Sequence, residues 1–134
     1  MHEWSLAEAV VETVLKIAKE ENAEKIIEVD IVVGVLQSID MEAFRFALTE
    51  ISRDTPMKDA KINIEFEEPT FKCRVCGNEW SFTDIKNKLG EDEIEAIHFI
   101  PDLAHTFISC PKCGSPDFEI LRGRGVYLRS IKVA

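Results

Sequence analysis

Apolar residues recur every three or four positions over residues 5–22, which is the spacing of one face of an α-helix. Ser5 and Glu8 have the form of a capping box, in which Ser5 caps the first turn and Glu8 bonds back to it. The pattern therefore predicts a first helix over residues 5–22. Residues 1–4 are then a lead-in that lies outside the helix.

Further along the chain, the pattern switches between strand and helix periods. Residues 27–35 and 61–67 alternate apolar and polar side chains, as strands do. Between them, Asp40 is a suitable cap for a second helix, which Asp54-Thr55-Pro56 stops. The last apolar run, residues 125–133, is again typical of a strand.

The order is therefore helix, strand, helix, strand, then a cysteine-containing stretch, then a final strand. Because two helices and two strands make a poor core, we expect the final strand to complete a three-stranded sheet. The predicted fold class is α+β, with two helices packed on one face of the three-stranded sheet and an inserted four-cysteine, zinc-ribbon-like module. The predicted domains are residues 1–68 plus 122–134, and the inserted zinc-binding domain, residues 69–121.

Charge narrows the range of partners. The net charge is −9, and residues 1–68 carry 16 acidic and 7 basic side chains, whereas the remainder is balanced. Phosphate backbones require clustered Lys and Arg, so we expect no nucleic acid partner. No apolar run approaches the length of a membrane span, and no secretory leader is evident, so we expect a cytoplasmic protein with no membrane partner.

The four cysteines form two C-x-x-C-G pairs, Cys73 with Cys76 and Cys110 with Cys113. A C-x-x-C-G turn presents two sulfurs together, and two such turns supply the four thiolates of a closed structural zinc site. A redox dithiol needs its C-x-x-C at a helix start within a βαβ unit, and this pattern is absent. The spacing therefore favours structural Zn(II).

The two pairs are separated by 33 residues, a long span for a zinc ribbon. We expect this insert to have helical content and a small apolar cluster of its own. It contains His98 and His105. Each histidine is either a packing or surface residue, or an auxiliary metal ligand.

The first three residues offer a different kind of site. The α-amino group of Met1, the main-chain nitrogen and imidazole of His2, and the main-chain nitrogen of Glu3 form a planar set of four nitrogens. Square-planar nitrogen coordination favours Ni(II) or Cu(II) over Zn(II). A histidine at position 2 is weak evidence alone, because any chain can begin this way.

Taken together, Met1-His2-Glu3 before an amphipathic helix and the two cysteine pairs resemble the HypA/HybF family of hydrogenase nickel-incorporation proteins. The resemblance covers essentially the whole chain. It implies one Ni(II) bound through His2 and neighbouring main-chain nitrogens, and a structural zinc on the four cysteines. It also implies delivery of nickel to the hydrogenase large subunit together with a HypB-type GTPase. The long insert departs from the usual spacing and resembles archaeal members, which leaves any nickel-binding role of His98 open.

We therefore predict a nickel metallochaperone rather than an enzyme. The sequence has no Ser/His/Asp set, no phosphate-binding loop, and no three-ligand metal site with an adjacent base. The protein is expected to be a monomer or a weak homo-oligomer. The alternative is a zinc-ribbon adaptor that binds protein or nucleic acid without any nickel function. Its basic patch would consist of Arg122, Arg124, Arg129 and Lys132.

Overall fold

The computed structural model describes residues 2–36, 39–100 and 103–134, without the side chains of Lys86, His98 and Phe99. Its helices are α1 (Glu3–Glu20), α2 (Met41–Ser52), α3 (Phe82–Ile85), α4 (Glu91–Phe99) and α5 (Ala104–Phe107), with a 3-10 turn at Lys86–Lys88. Its strands are β1 (Ile26–Gly34), β2 (Lys61–Glu67), β3 (Thr70–Cys73), β4 (Glu79–Ser81), β5 (Phe118–Arg122) and β6 (Val126–Val133).

By contacts, the chain divides into two compact units. The first comprises Met1–Val32, Ile39–Glu65 and Val126–Ala134, and the second comprises Val33–Ser38 and Phe66–Gly125. The domain boundaries predicted from the sequence stay a prediction. None of the helices in the described ranges combines the length and the apolar character needed to cross a membrane.

In the first unit, the three-stranded sheet has the order β2-β1-β6, so the prediction that the final strand completes this sheet is confirmed. The buried side chains are Ala7, Val10, Val11, Val14 and Ala18 in α1, and Phe44, Ala47, Leu48 and Ser52 in α2. Asp40 caps α2 as predicted, since its Oδ1 accepts a hydrogen bond from Ala43 N–H at 3.2 Å. The packing of both helices on one face of the sheet stays a prediction.

The start of α1 differs from the prediction. The helix begins at Glu3, His2 occupies the N-cap position without a side-chain capping bond, and Ser5 lies inside the first turn. The prediction that Ser5 caps the helix and that Glu3 and Trp4 stay outside it is therefore wrong. An S-x-x-E spacing also fits a helix interior, and an acidic side chain in the first turn is stabilised by the helix dipole. A tertiary contact adds to this, because Glu3 Oε1 accepts a hydrogen bond from Asp40 N–H at 3.0 Å.

The second unit is built around a small antiparallel sheet of order β4-β3-β5. Phe71 of β3, Trp80 of β4 and Phe118 of β5 meet with ring centroids 5.3 to 5.5 Å apart. Side chains of the helical insert, including Ile97 and Ala104, complete the buried cluster around these rings. The predicted helical content of the insert is therefore confirmed, but the prediction of an apolar cluster of its own is wrong, because its side chains share one buried cluster with Leu36, Phe71 and Phe118.

Candidate metal centres

The two cysteine pairs adopt the same turn. In the first, Cys73 N–H donates to the Asn78 carbonyl at 2.8 Å and Gly77 N–H donates to the Cys73 carbonyl at 3.0 Å. In the second, Cys110 N–H donates to the Ser115 carbonyl and Gly114 N–H donates to the Cys110 carbonyl, both at 2.8 Å.

Each turn requires its glycine for backbone conformation. Gly77 and Gly114 have φ values of 77° and 80°, in the left-handed region that a side chain disfavours, although a Cβ on either would meet no atom within 4 Å. Conformation, rather than lack of space, therefore explains the C-x-x-C-G pattern.

The four sulfurs converge on one point. The Sγ atoms of Cys73 and Cys113 lie 3.5 Å apart, those of Cys76 and Cys110 lie 3.6 Å apart, and all four lie within 4.8 Å of one another. Zn–S bonds of about 2.3 Å in a tetrahedron place sulfurs about 3.8 Å apart. The donor set, its count and its spacing therefore fit a closed Zn(II) site, as predicted.

Main-chain and side-chain donors surround these sulfurs. The N–H groups of Val75 and Cys76 point at Cys73 Sγ at 3.4 Å, and that of Lys112 points at Cys110 Sγ at the same distance. Asn78 Nδ2 adds a contact of 3.8 Å to Cys110 Sγ. Such donors stabilise the thiolate form, which is the form that binds metal.

The thiols differ in acidity. Desolvation raises the pKa of Cys110, but hydrogen bonds from the N–H groups of Cys113 and Lys112 outweigh it and lower that pKa to about 6. For Cys113, the Ser115 N–H lowers the pKa, whereas the neighbouring thiol of Cys73 and desolvation raise it to about 12. The cluster thus gives up its protons unequally, and a divalent cation is needed to hold all four sulfurs as thiolates.

Burial anchors one cysteine of each pair. Cys73 and Cys110 are buried members of the apolar cluster that contains Phe71 and Phe118, whereas Cys76 and Cys113 are exposed. The metal centre is therefore attached directly to the core of the second unit. Four thiolates would fill a tetrahedral Zn(II) and leave no free position for a substrate, which matches a structural role.

The amino-terminal site lies at the open end of α1. The His2 side chain is exposed, and its carbonyl accepts the Leu6 N–H at 2.9 Å, which is the first hydrogen bond of the helix. The N–H groups of a first helical turn point out of the helix end, so the main-chain nitrogens of His2 and Glu3 lie at that end. Met1, which completes the predicted set of four nitrogens, lies outside the described residues.

Asp40 lies beside Glu3 of the predicted nickel-binding tripeptide, a contact that the sequence did not predict. The sequence predicts it only as the cap of α2, yet its N–H donates to the Glu3 carboxylate across 37 positions of sequence. No local pattern could reveal this contact, because it depends on α1 and α2 packing together with their first turns adjacent. The structure thereby brings Asp40 to the predicted nickel-binding tripeptide.

Of the two insert histidines proposed as auxiliary metal ligands, the structure describes the side chain of one. The His105 ring stacks on Phe118 with a centroid distance of 4.3 Å, and its Nδ1 lies 3.1 Å from the Pro116 carbonyl oxygen. His105 is therefore a packing residue in this structure. His98 belongs to α4, but its side chain lies outside the described residues, so its nickel-binding role stays a prediction.

Fold and sites together define a metal-handling protein, with a closed tetracysteine centre in one unit and an exposed helix start carrying His2 in the other. The family model described as "Hydrogenase/urease nickel incorporation, metallochaperone, hypA" matches residues 1–133. The hydrogenase maturation factors HypA of Pyrococcus horikoshii and Pyrococcus abyssi are each 50% identical over 133 residues, which is 99% of this chain and 96% of each relative. The solution structure of the Ni metallochaperone HypA from Helicobacter pylori matches with a TM-score of 0.69 at 22% identity, over 99% of this chain and 97% of that one.

The chain belongs to the HypA family of nickel-incorporation metallochaperones. The resemblance inferred from the sequence is confirmed, and the nickel metallochaperone is favoured over the zinc-ribbon adaptor. The four-cysteine cluster agrees with the zinc expected for this family. The mixed α+β fold class is likewise confirmed.

Proposed function

We propose that this protein carries Ni(II) at its own amino terminus and delivers it for [NiFe] hydrogenase maturation. The nickel ligands are the α-amino group of Met1, the main-chain nitrogens of His2 and Glu3, and the His2 imidazole. The observation that carries this proposal is the exposed His2 at the open end of α1, with no capping bond from its side chain. Its imidazole is therefore not committed to holding the helix.

The contact between Glu3 and Asp40 supports the same assignment. Glu3 uses its carboxylate to accept the Asp40 N–H, so a side chain rather than the main chain ties the first turn to α2. The main-chain nitrogens of the tripeptide are the groups that chelation requires.

The two metals have separate roles. Zinc on Cys73, Cys76, Cys110 and Cys113 is structural, and nickel is cargo. We assign nickel to the domain formed by residues 1–68 plus 122–134, and zinc to the domain formed by residues 69–121. We propose a non-catalytic carrier, because the four cysteine sulfurs are committed to zinc and the chain belongs to a family of metallochaperones.

Delivery requires partners of the hydrogenase maturation pathway, for which we propose a HypB-type GTPase and the hydrogenase large subunit. An exposed site at a chain end suits such exchange, because a partner can reach the ligands without unfolding a core. We place the protein in the cytoplasm, where its thiols stay reduced, as a monomer or weak homo-oligomer.

The nickel assignment is tested by calorimetric titration of the zinc-loaded protein with Ni(II). We expect His2→Ala and a Gly-Ser extension before Met1 each to weaken binding by about 100-fold or more, because the first removes the imidazole and the second turns the α-amino group of Met1 into an amide. The same extension placed after Ala134 is the matched control and should leave the affinity unchanged. Wild-type affinity in both amino-terminal variants would refute the site.

We also propose that His98 joins the nickel coordination in some state, including a partner-bound one. The absorption spectrum of bound nickel should then shift in His98→Ala. His105→Ala is the control, since His105 packs on Phe118. Identical nickel spectra for His98→Ala and wild type, alone and with the GTPase bound, would exclude His98.

A further inference from the structure

The two cysteine turns share a backbone conformation but differ in the residue that follows the glycine. This residue is Asn78 in the first turn and Ser115 in the second. Their main-chain roles are the same, since the Asn78 carbonyl accepts Cys73 N–H and the Ser115 carbonyl accepts Cys110 N–H, both at 2.8 Å. Any difference between the two positions therefore lies in their side chains.

The side chain of Asn78 crosses from its own turn to the other one. Its Nδ2 donates to Cys110 Sγ at 3.8 Å, across 32 positions of sequence. Sulfur is a larger acceptor than oxygen, so N–H contacts to it are longer. Among the described residues, this is the one hydrogen bond that the Asn78 side chain makes. Ser115 instead serves its own segment, because its hydroxyl oxygen accepts Asp117 N–H at 3.1 Å.

A second link between the turns acts at their bases. Cys73 and Phe118 are partners in the pairing of β3 with β5, and Arg74 N–H donates to the Asp117 carbonyl at 3.0 Å. The side chains of Arg74 and Asp117 also form an ion pair, but both are more than half exposed, so the pair contributes little. The contact from Asn78 differs from this link because it acts directly on a ligand atom.

The relative orientation of the two turns decides which geometry the four sulfurs offer to a metal. Each cysteine pair defines a plane with the metal. The two planes are perpendicular in a tetrahedral site and coincide in a square-planar one. Rotating one turn relative to the other therefore converts one geometry into the other without changing any ligand. A contact that runs from one turn to a sulfur of the other opposes this rotation.

The choice of geometry is also a choice of metal. Zn(II) takes tetrahedral coordination in structural sites, whereas square-planar coordination is typical of Ni(II) and Cu(II). Because divalent metals compete for the same donors, proteins select among them by geometry and ligand type rather than by affinity alone. A chain that carries Ni(II) as cargo therefore gains from a thiolate centre that cannot flatten.

We propose that Asn78 is a positioning residue of the four-cysteine centre, and that its contact with Cys110 Sγ holds the two cysteine pairs in the perpendicular orientation that selects Zn(II) over Ni(II). The need to exclude nickel rests on the proposed function. The selectivity of the centre does not, because it depends only on the two turns and the link between them.

The test compares the affinities of the four-cysteine centre for Zn(II), Ni(II) and Co(II) in the full-length chain. A His2→Ala background removes the proposed amino-terminal nickel site, so the sulfur-to-nickel charge-transfer absorption reports only the thiolates. Competition with a chromogenic chelator gives each affinity, and the visible bands of Co(II) report how tetrahedral the centre is. The result holds whether or not His2 binds nickel, so a failure of the proposed function is distinguishable from a failure of this proposal.

Asn78→Ala removes the donor and keeps the carbonyl that accepts Cys73 N–H. Alanine is unstrained there, because Asn22 is the one non-glycine residue with positive φ in the described part of the chain. We expect the ratio of zinc to nickel affinity to fall by about tenfold or more, the usual effect of losing a partner of a metal ligand, and the Co(II) bands to weaken.

Two further variants separate hydrogen-bond donation from shape. Asn78→Asp keeps the shape but places a carboxylate beside a thiolate, so we expect the ratio to fall at least as far as in Asn78→Ala. Ser115→Ala is the matched control at the same position of the second turn. It should leave the ratio and the Co(II) bands unchanged, because the Ser115 hydroxyl bonds to the Asp117 N–H rather than to a sulfur.

Three outcomes would overturn the role of Asn78. One is an unchanged ratio in Asn78→Ala, whether both affinities fall together or neither falls, because a purely structural role affects all metals alike. Another is wild-type selectivity in Asn78→Asp, since shape rather than donation would then matter. The third is an equal fall of the ratio in Ser115→Ala, because the two turns would then not differ.

Discussion

The two metal centres differ in what holds their ligands. The four zinc ligands are side chains on two turns, and Cys73 and Cys110 are buried in the same cluster as Phe71 and Phe118. The proposed nickel ligands are mostly main-chain nitrogens at an exposed helix start, where the Glu3 carboxylate accepts a hydrogen bond from Asp40 N–H. Ligands that belong to a core retain their metal, whereas ligands at a chain end allow exchange.

The two metals should also differ in how much they stabilise the fold. Zinc joins Cys73 and Cys76 to Cys110 and Cys113 across the long insert, so its binding energy contributes to the stability of the second unit. Nickel at residues 1–3 closes only a local chelate ring and constrains little of the first unit. Removing a zinc ligand should therefore have the largest effect on the fold.

Cys110→Ser should abolish zinc binding and unfold the second unit, because it removes one of four ligands and introduces a hydroxyl into the apolar cluster. Zinc content by elemental analysis measures the first effect, and tryptophan fluorescence in a Trp4→Phe background, which leaves Trp80 as the one tryptophan, measures the second. Val75→Ser is the control, since Val75 lies in the first cysteine turn, is 68% exposed and is not a ligand. Wild-type zinc content in Cys110→Ser would contradict the tetracysteine assignment.

Acid should release nickel before zinc. Nickel displaces protons from the terminal amine, whose ordinary pKa is about 7.7–8.0, and from main-chain amides, so its affinity should fall about tenfold per pH unit for each displaced proton. Zinc competes with thiol protons too, since the pKa of Cys110 is lowered to about 6 but that of Cys113 is raised to about 12. Lowering the pH therefore protonates the ligands of both metals, and we expect nickel to leave first because its ligands lie at an exposed chain end, whereas Cys73 and Cys110 are buried.

Titration from about pH 8 to about pH 5 with a chromogenic chelator should show two separate releases, with nickel first. Removing His2 should eliminate the first release and leave the second unchanged. Simultaneous release of both metals, or zinc before nickel, would contradict the distinction between a cargo site and a structural site.

Phe118→Ala should cost about 3–5 kcal/mol of stability in the second unit, the usual range for truncating a fully buried phenylalanine. Phe118 contacts the rings of Phe71, Trp80 and His105, so its loss leaves a cavity beside the zinc turns. Phe46→Ala in α2 is the control, because Phe46 is 62% exposed. If urea denaturation gave Phe118→Ala and Phe46→Ala the same loss of unfolding free energy, the aromatic cluster would not stabilise the second unit.

Asp40→Ala should destabilise the first unit by about 1 kcal/mol, the typical value of a helix cap. Its effect on nickel affinity should be small, because the contact with Glu3 comes from the Asp40 main-chain N–H, which alanine retains. Asp59→Ala, outside α2, is the matched control. A large loss of nickel affinity in Asp40→Ala would mean that the Asp40 carboxylate itself takes part in the site.

Local features were readable from the sequence because their causes are local. The alternation over residues 61–67 matches β2, the Asp40 cap matches α2, and the C-x-x-C-G spacing matches two turns that need glycine at positive φ. In each case a few consecutive residues contain the whole physical reason for the structure.

The features that sequence patterns misplace or miss involve distant residues. The capping pattern predicts that α1 begins at Ser5, but the helix extends to Glu3, whose carboxylate accepts the Asp40 N–H. The stack of His105 on Phe118 joins a helix of the insert to β5, and no spacing rule connects those positions.

The sequence by itself determined the donor chemistry of the cysteine centre. Four thiols in paired turns select a tetrahedral metal, because ligand type and spacing are local properties, whereas His2 predicted nickel only together with the family resemblance. Only the tertiary structure decided how each centre is held. Packing buries Cys73 and Cys110 in a core, while it leaves His2 exposed at the end of a helix that α2 tethers through Glu3.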